Sequence, residues 1–156
     1  MSKSLKRVKA ALDMAGIAAE IMETPFETRT AEQAAAAAGC ETDQIAKSII
    51  FRGLKRGHIV LFITAGGNQV DPARASAVAG EDLGKADAAL IRAETGFAIG
   101  GVAPIAHLNP VTAYFDPRLL TFGQIWAAAG TPRHIFAIAP KILLALSGAI
   151  LADFTV

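Results

Sequence analysis

Cysteine is almost missing: Cys40 is the only one in 156 residues, which excludes an internal disulfide framework and fits a reducing compartment. Histidine is scarce too. His58, His107 and His134 lie far apart, in no HExxH or comparable ligand spacing, so nothing points to a metal and none is expected. The sequence has no GxSxG elbow, no GxxxxGK phosphate loop and no visible pair of catalytic carboxylates. It also lacks an excess of one charge. Fifteen basic against fourteen acidic side chains leave a formal net charge of +1 at pH 7, which excludes a polycation that coats any nucleic acid it meets. Although 53% of residues are hydrophobic, much of that is alanine, and no run reaches the roughly 18 apolar residues of a membrane span. The opening MSKSLKRVKAALDMAG lacks the apolar core and cleavage site of a secretory leader. A cytoplasmic protein without a membrane segment is expected, folded as one domain over residues 1–156.

What is present alternates in type. Leu5, Val8, Leu12 and Ala15 recur at helical spacing, with Gly16 as a stop. IAAEIME reads as a short strand, and TPFETR as a polar connection. Thr30 and Gln33 have the capping-box form and open a helix that runs through AAAAAG. From Lys47 the pattern becomes β-branched and aromatic: KSIIFR, a turn through RGLKRG, then HIVLFITA form a hairpin. Asp71 followed by Pro72 is an N-cap with proline in the first turn, opening PARASAVAG. ADAALIRAET carries a further helix ending at Gly96. VTAYFD, QIWAAAG and RHIFAIA are three strands separated at Asp116-Pro117 and Gly130-Thr131-Pro132, Pro140 starts a last helix through KILLALSG, and ILADF follows. This irregular interleaving favours a mixed α+β fold over a doubly wound sheet.

One stretch, TGFAIGGVAPIAH at residues 95–107, sets the most pliable residues beside the stiffest. Glycine lets a ligand approach the main chain and permits positive φ, while proline fixes its own φ. Gly100, Gly101 and Pro104 therefore suit a rigid loop whose N–H and C=O groups hold a reacting centre. A plain turn without a ligand fits the same residues. Lys47, at the edge of an apolar strand, reads on its own as a snorkelling surface residue. Cys40 reads as a small buried hydrophobe. Two basic groups, Lys3, Lys6, Arg7 and Lys9 near the start and Arg52, Lys55 and Arg56 in the hairpin turn, are solvated faces or phosphate contacts.

IAKSIIF with its lysine, the partner strand HIVLFITAGGNQVD and, about fifty residues after the lysine, GFAIGGVAPIAH occur in one order. In this the sequence resembles the YbaK/ProX family of aminoacyl-tRNA deacylases, relatives of the editing domain of bacterial prolyl-tRNA synthetases, along nearly its whole length. The resemblance implies a strongly curved, partly barrel-like β-sheet flanked by helices. It implies a freestanding enzyme, without cofactor, that hydrolyses the ester of a mischarged tRNA at its acceptor end, with prolyl-tRNA synthetase as a possible associate. It gives Lys47 a place near the terminal adenosine and its phosphate, and the loop from Gly100 to Pro104, with Val102 and Ala103, the aminoacyl group. Thr24, Ser48, Ala128 and His134 are the further residues expected at the substrate, His134 reading equally well as a strand-end residue. Ala127-Ala128-Ala129 stands where cysteine-handling members carry a serine-bearing segment, which turns the expectation towards alanine or a slightly larger aliphatic side chain. The family's P-x-G has Ala106 in place of its glycine, followed by His107. A non-catalytic module binding tRNA or a synthetase, and a small-molecule esterase, are the alternatives.

Overall fold

The computed structural model describes residues 2–156. Helix α1 (Lys3–Met14) starts at the Ser2 hydroxyl, which accepts from the Leu5 N–H, and buries Leu5, Val8 and Leu12, the stripe its spacing predicts. Gly16, at φ +72°, follows its C-cap Ala15. After strand β1 (Glu20–Glu23), α2 (Ala31–Ala38) opens with the expected capping box at Thr30 and Gln33 and stops at Gly39. Strands β2 (Ile45–Gly53) and β3 (Ile59–Ala65) form the hairpin, and Asp71 caps α3 (Pro72–Ala79). A strand of three residues, β4 (Leu83–Lys85), precedes α4 (Ala88–Thr95). It went unread in the sequence because LGK is too short to show a period. Strands β5 (Thr112–Phe115), β6 (Ile125–Thr131) and β7 (His134–Ile138) lead to α5 (Pro140–Ser147) and a final two-residue strand β8 (Ile150–Leu151). Short 3₁₀ turns at Thr42–Gln44 and Pro117–Thr121 complete the path.

All eight strands join one mixed sheet in the order β1-β7-β6-β2-β3-β5-β8, with β4 paired to β2 off this path. The architecture is the expected mixed α+β fold. Every residue of β3 is buried, which is why IVLFITA reads as a continuous apolar run rather than an alternation. One face carries the main core, where α1, Phe97, Val102, Ala103 and Ile105 pack on Leu61, Ile63, Ala127 and Phe136. Two smaller clusters cover the other face. Ala31, Ala34 and Ala35 of α2 lie on Ile45, Trp126, Ile135 and Ala137, and Ala75 and Ala79 of α3 lie on Val60, Phe62 and Phe154.

The sheet forks at β2. One edge of that strand pairs with β3 from Ala46 to Arg52. Along its other edge, parallel pairing with β6 stops at Ala46 opposite Ala127, and antiparallel pairing with β4 begins only at Phe51 opposite Lys85. Residues 47–50 are thus left without a neighbouring strand on that side. Beyond Ala128 the β6–β7 register shifts, and Gly130, at φ +97°, bends β6 away, as an irregularity in a ladder does.

Candidate active site

A cleft of about 650 Å³ opens at this fork. Four consecutive residues of β2, Lys47, Ser48, Ile49 and Ile50, line it. Successive strand residues point to opposite faces, so a cleft on one face would meet only every second residue. A cleft at the exposed edge meets them all. Lys47 donates from Nζ to the Gly66 carbonyl at 3.0 Å. Gly66 packs so closely that the Thr42 main-chain oxygen stands where a Cβ would go, and the next residue, Gly67, donates its N–H to Asp43 at 2.7 Å. Among the described residues no carboxylate lies within ion-pairing distance of Lys47. An ammonium has three donors, so two remain for a ligand.

The opposite wall is the glycine loop. Gly101 donates its N–H to the Ala98 carbonyl at 3.1 Å, closing a four-residue turn in which Gly100 holds φ +93°. That third place is where a type II turn demands glycine. Gly101 has another reason for its identity: a Cβ there would lie 2.7 Å from the Thr131 Cα and carbonyl carbon. Of the two glycines, then, Gly100 meets a conformational need and Gly101 a close approach. Ser48 Oγ donates to the Val102 carbonyl at 3.0 Å, tying this loop to β2. Among the described residues the N–H groups of Gly100 and Val102 have no protein partner.

The structure therefore brings Lys47, Ser48, Gly100, Val102 and Ala128 to one cleft. Gly101, Ala103 and Pro104 do not line it, and all three are buried. Thr24 and His134, expected at the substrate, do not line it. Thr24 is buried and spends its hydroxyl on the Phe26 carbonyl. His134 Nδ1 lies 2.7 Å from Thr131 Oγ1, at the β6–β7 bulge. In their place the cleft holds two cations that the sequence reading passed over, Arg29 and Lys85, against a single acid, Glu32. Arg29 pairs with Glu27 at 2.9 Å and lies against Gly100. Its one sequence signal is its position just before the capping box, where a helix N-terminus adds a partial positive charge. The floor is apolar, formed by Ala31, Ala34, Ile45, Trp126, Ala127 and Ile135.

A family model, the aminoacyl-tRNA editing domain, matches residues 26–146. The chain belongs to this family. It is 31% identical over 122 residues to the uncharacterized protein YwhH of Bacillus subtilis, covering 77% of each chain. A crystal structure of a proposed trans-editing enzyme for prolyl tRNA synthetase superposes with a TM-score of 0.91 at 44% identity, covering 100% of this chain and 99% of that one. The hypothetical protein APE2540 shares the fold alone, with a TM-score of 0.87 at 23% identity over 96% of this chain and 99% of its own.

The two basic groups of the editing domain are less uniform than their sequence suggests. Lys3, Lys6 and Lys9 are exposed, but Arg7 turns inward and is half-buried. In the hairpin turn Arg56 donates to the Glu81 carboxylate at 3.0 Å and to the Ala79 carbonyl at 3.2 Å, which leaves Lys55, and Arg52 near the end of β2, as the cations of this group with no acid partner among the described residues. His107 Nε2 donates to the Ala103 carbonyl at 2.7 Å, and burial holds its pKa below the usual histidine range.

Ala106 is the one non-glycine among the described residues with positive φ, at +63°. At such a φ glycine is the residue that fits without strain. A left-handed L-residue costs about 1–2 kcal/mol, and glycine returns about half of that through the freedom of the unfolded chain. Ala106→Gly is expected to stabilise the protein by up to about 1 kcal/mol, seen as a higher urea midpoint at unchanged slope. A lower midpoint contradicts it.

Proposed function

We propose that the protein is a trans-editing aminoacyl-tRNA deacylase. It hydrolyses the ester of a mischarged tRNA, with tRNA(Pro) carrying alanine or a slightly larger aliphatic amino acid as its substrate. The observation that carries this reading is the meeting of Lys47, the Gly100–Val102 main chain and an apolar floor at one forked strand edge. Water adds to the ester carbonyl, the acyl C–O bond to the ribose breaks, and the products are the free amino acid and a tRNA with its terminal hydroxyl restored. An aminoacyl ester is already activated, so orientation and main-chain dipoles aimed at the carbonyl oxygen carry much of the rate. A vicinal ribose hydroxyl of the substrate assists the attacking water. Lys47, a compact point charge, suits the terminal phosphate, and Arg29 and Lys85 extend the same potential along the cleft.

Family membership supports editing, and proline identity rests on the neighbour described for prolyl tRNA synthetase. Among the described residues no helix is long and apolar enough to cross a membrane; action on tRNA in the cytoplasm, by the whole chain as one domain, is part of the proposal. The test is a panel of tRNAs mischarged with alanine, 2-aminobutyrate, serine and cysteine. Free alanine or 2-aminobutyrate is expected to appear at least about tenfold faster than serine or cysteine, because a methyl-lined floor discriminates by about 1–3 kcal/mol. Binding without release of any amino acid favours the second reading, a non-catalytic module that holds tRNA or a synthetase. Hydrolysis of small esters that uncharged tRNA does not inhibit overturns both.

A further inference from the structure

We infer that Arg7, on the inner side of α1, is a positioning residue that sets the glycine loop for deacylation. The inference rests on the proposed editing function. Its guanidinium donates from Nε to the Ala106 carbonyl at 2.8 Å and from Nη2 to the Thr95 carbonyl at 2.8 Å. Those two carbonyls are the two ends of the loop, eleven residues apart in sequence and closed by one planar fork. Between them the guanidinium carbon lies 4.3 Å from the centre of the Phe97 ring, and Phe97 is fully buried. Gly96 leaves room for the contact, since a Cβ there would meet Nη2. The same helix reaches the other support of the loop: the Ser4 main-chain oxygen packs against Gly130, next to the Thr131 backbone on which Gly101 rests.

Within the loop the main-chain hydrogen bond is the single turn at Ala98–Gly101; at its base the Leu108 N–H shares the Thr95 carbonyl with Arg7 at 3.2 Å and the Asn109 N–H donates to Glu94 at 3.0 Å, while Arg7 alone reaches the Ala106 carbonyl as well. What fixes its ends therefore fixes the direction of the Gly100 and Val102 N–H groups across from Lys47. A planar fork holds two carbonyls in fixed directions and stacks flat on a ring, whereas an ammonium is a compact point charge with freely rotating donors that fixes neither direction. Arg7 itself does not line the cleft. Its loss should thus change how well bound substrate reacts more than how tightly tRNA binds.

The experiment is single-turnover deacylation, over a range of enzyme concentration, of whichever mischarged tRNA the wild-type protein hydrolyses, with Arg7→Lys, Arg7→Met and Val8→Ala. Val8, fully buried on the same helix, loosens α1 while leaving the Arg7 fork in place. For both Arg7 variants the limiting rate constant is expected to fall about 30-fold or more while the half-saturating concentration moves less than about threefold. Val8→Ala is expected to keep its limiting rate within about threefold. Equal losses in Val8→Ala and Arg7→Met, or a loss in half-saturation alone, overturn the inference. Hydrogen exchange at the Gly101 amide, bonded to Ala98, reads the same clamp without activity and is expected to quicken at least tenfold in Arg7→Met. Unchanged exchange overturns the clamp whatever the rates. Wild-type protein inactive on every mischarged tRNA overturns the editing reading and the positioning role of Arg7 in deacylation with it, and leaves exchange to judge the clamp.

Discussion

Lys47→Ala is expected to lower deacylation of a mischarged tRNA by at least about a hundredfold, while thermal unfolding shifts by only a few degrees. The first half follows from chemistry. Among the described residues lining the cleft, Lys47 is the cation fixed by a main-chain oxygen and paired with no acid, and a substrate whose terminal phosphate loses its anchor shifts at the reacting ester, where a displacement near 1 Å costs about 10² in rate. The second half follows from location. Lys47 sits on the unpaired edge of β2, half-buried, and gives up one bond to Gly66, which is worth about 0.5–1.5 kcal/mol net. Such a loss moves the midpoint of a protein of this size by about 2–4 °C per kcal/mol. Lys47→Arg is expected to recover little, because a planar fork does not replace a compact ammonium held on one carbonyl. Single-turnover rates and a melting curve on the same preparations check both halves, and an alanine variant that hydrolyses within threefold of wild type removes Lys47 from the mechanism.

The elements were legible wherever their punctuation was strong. Thr30 with Gln33, Asp71 with Pro72 and the glycines 39, 80, 96 and 148 mark helix ends by local chemistry that a sequence displays openly. The site was legible only in part, for a physical reason. Lys47 and Gly100 carry their roles in local pattern and resemblance. The fork that brings them together depends on where pairing with β6 ends and pairing with β4 begins, and those are contacts between segments about 30 to 80 residues apart. Register at that range leaves no periodic trace. Arg7 shows the same limit from the other side. In sequence it is one of four cations on a basic helix, and only the docking of α1 against the loop distinguishes it from Lys3, Lys6 and Lys9. Thr24 and His134 fail to reach the cleft because nearby main chain and Thr131 claim their polar atoms first.

Gly101→Ala is expected to reduce deacylation about a hundredfold, and more than Gly100→Ala does, although Gly100 is the glycine with positive φ. The atoms each new methyl would meet decide the order. At Gly100 the nearest is Nη1 of Arg29, 2.6 Å away, the far end of a side chain that is about half exposed and free to swing aside, so the remaining penalty is backbone strain of about 1–2 kcal/mol. At Gly101 the nearest atoms are the Cα, carbonyl carbon and nitrogen of Thr131, at 2.7, 2.7 and 3.0 Å. No rotamer relieves a clash with main chain. Either the loop lifts off the β6–β7 bulge or the bulge yields, and a displacement near 1 Å at a reacting centre costs about 10² in rate. The second-site consequence is sharper still. Thr131→Gly leaves in place the main-chain atoms that stand nearest the new methyl, so it is expected not to rescue Gly101→Ala, whereas a clash with the threonine hydroxyl or methyl would be relieved. Deacylation rates of the single and double variants decide between them, and rescue in the double variant shows that the loop does not rest on the Thr131 backbone.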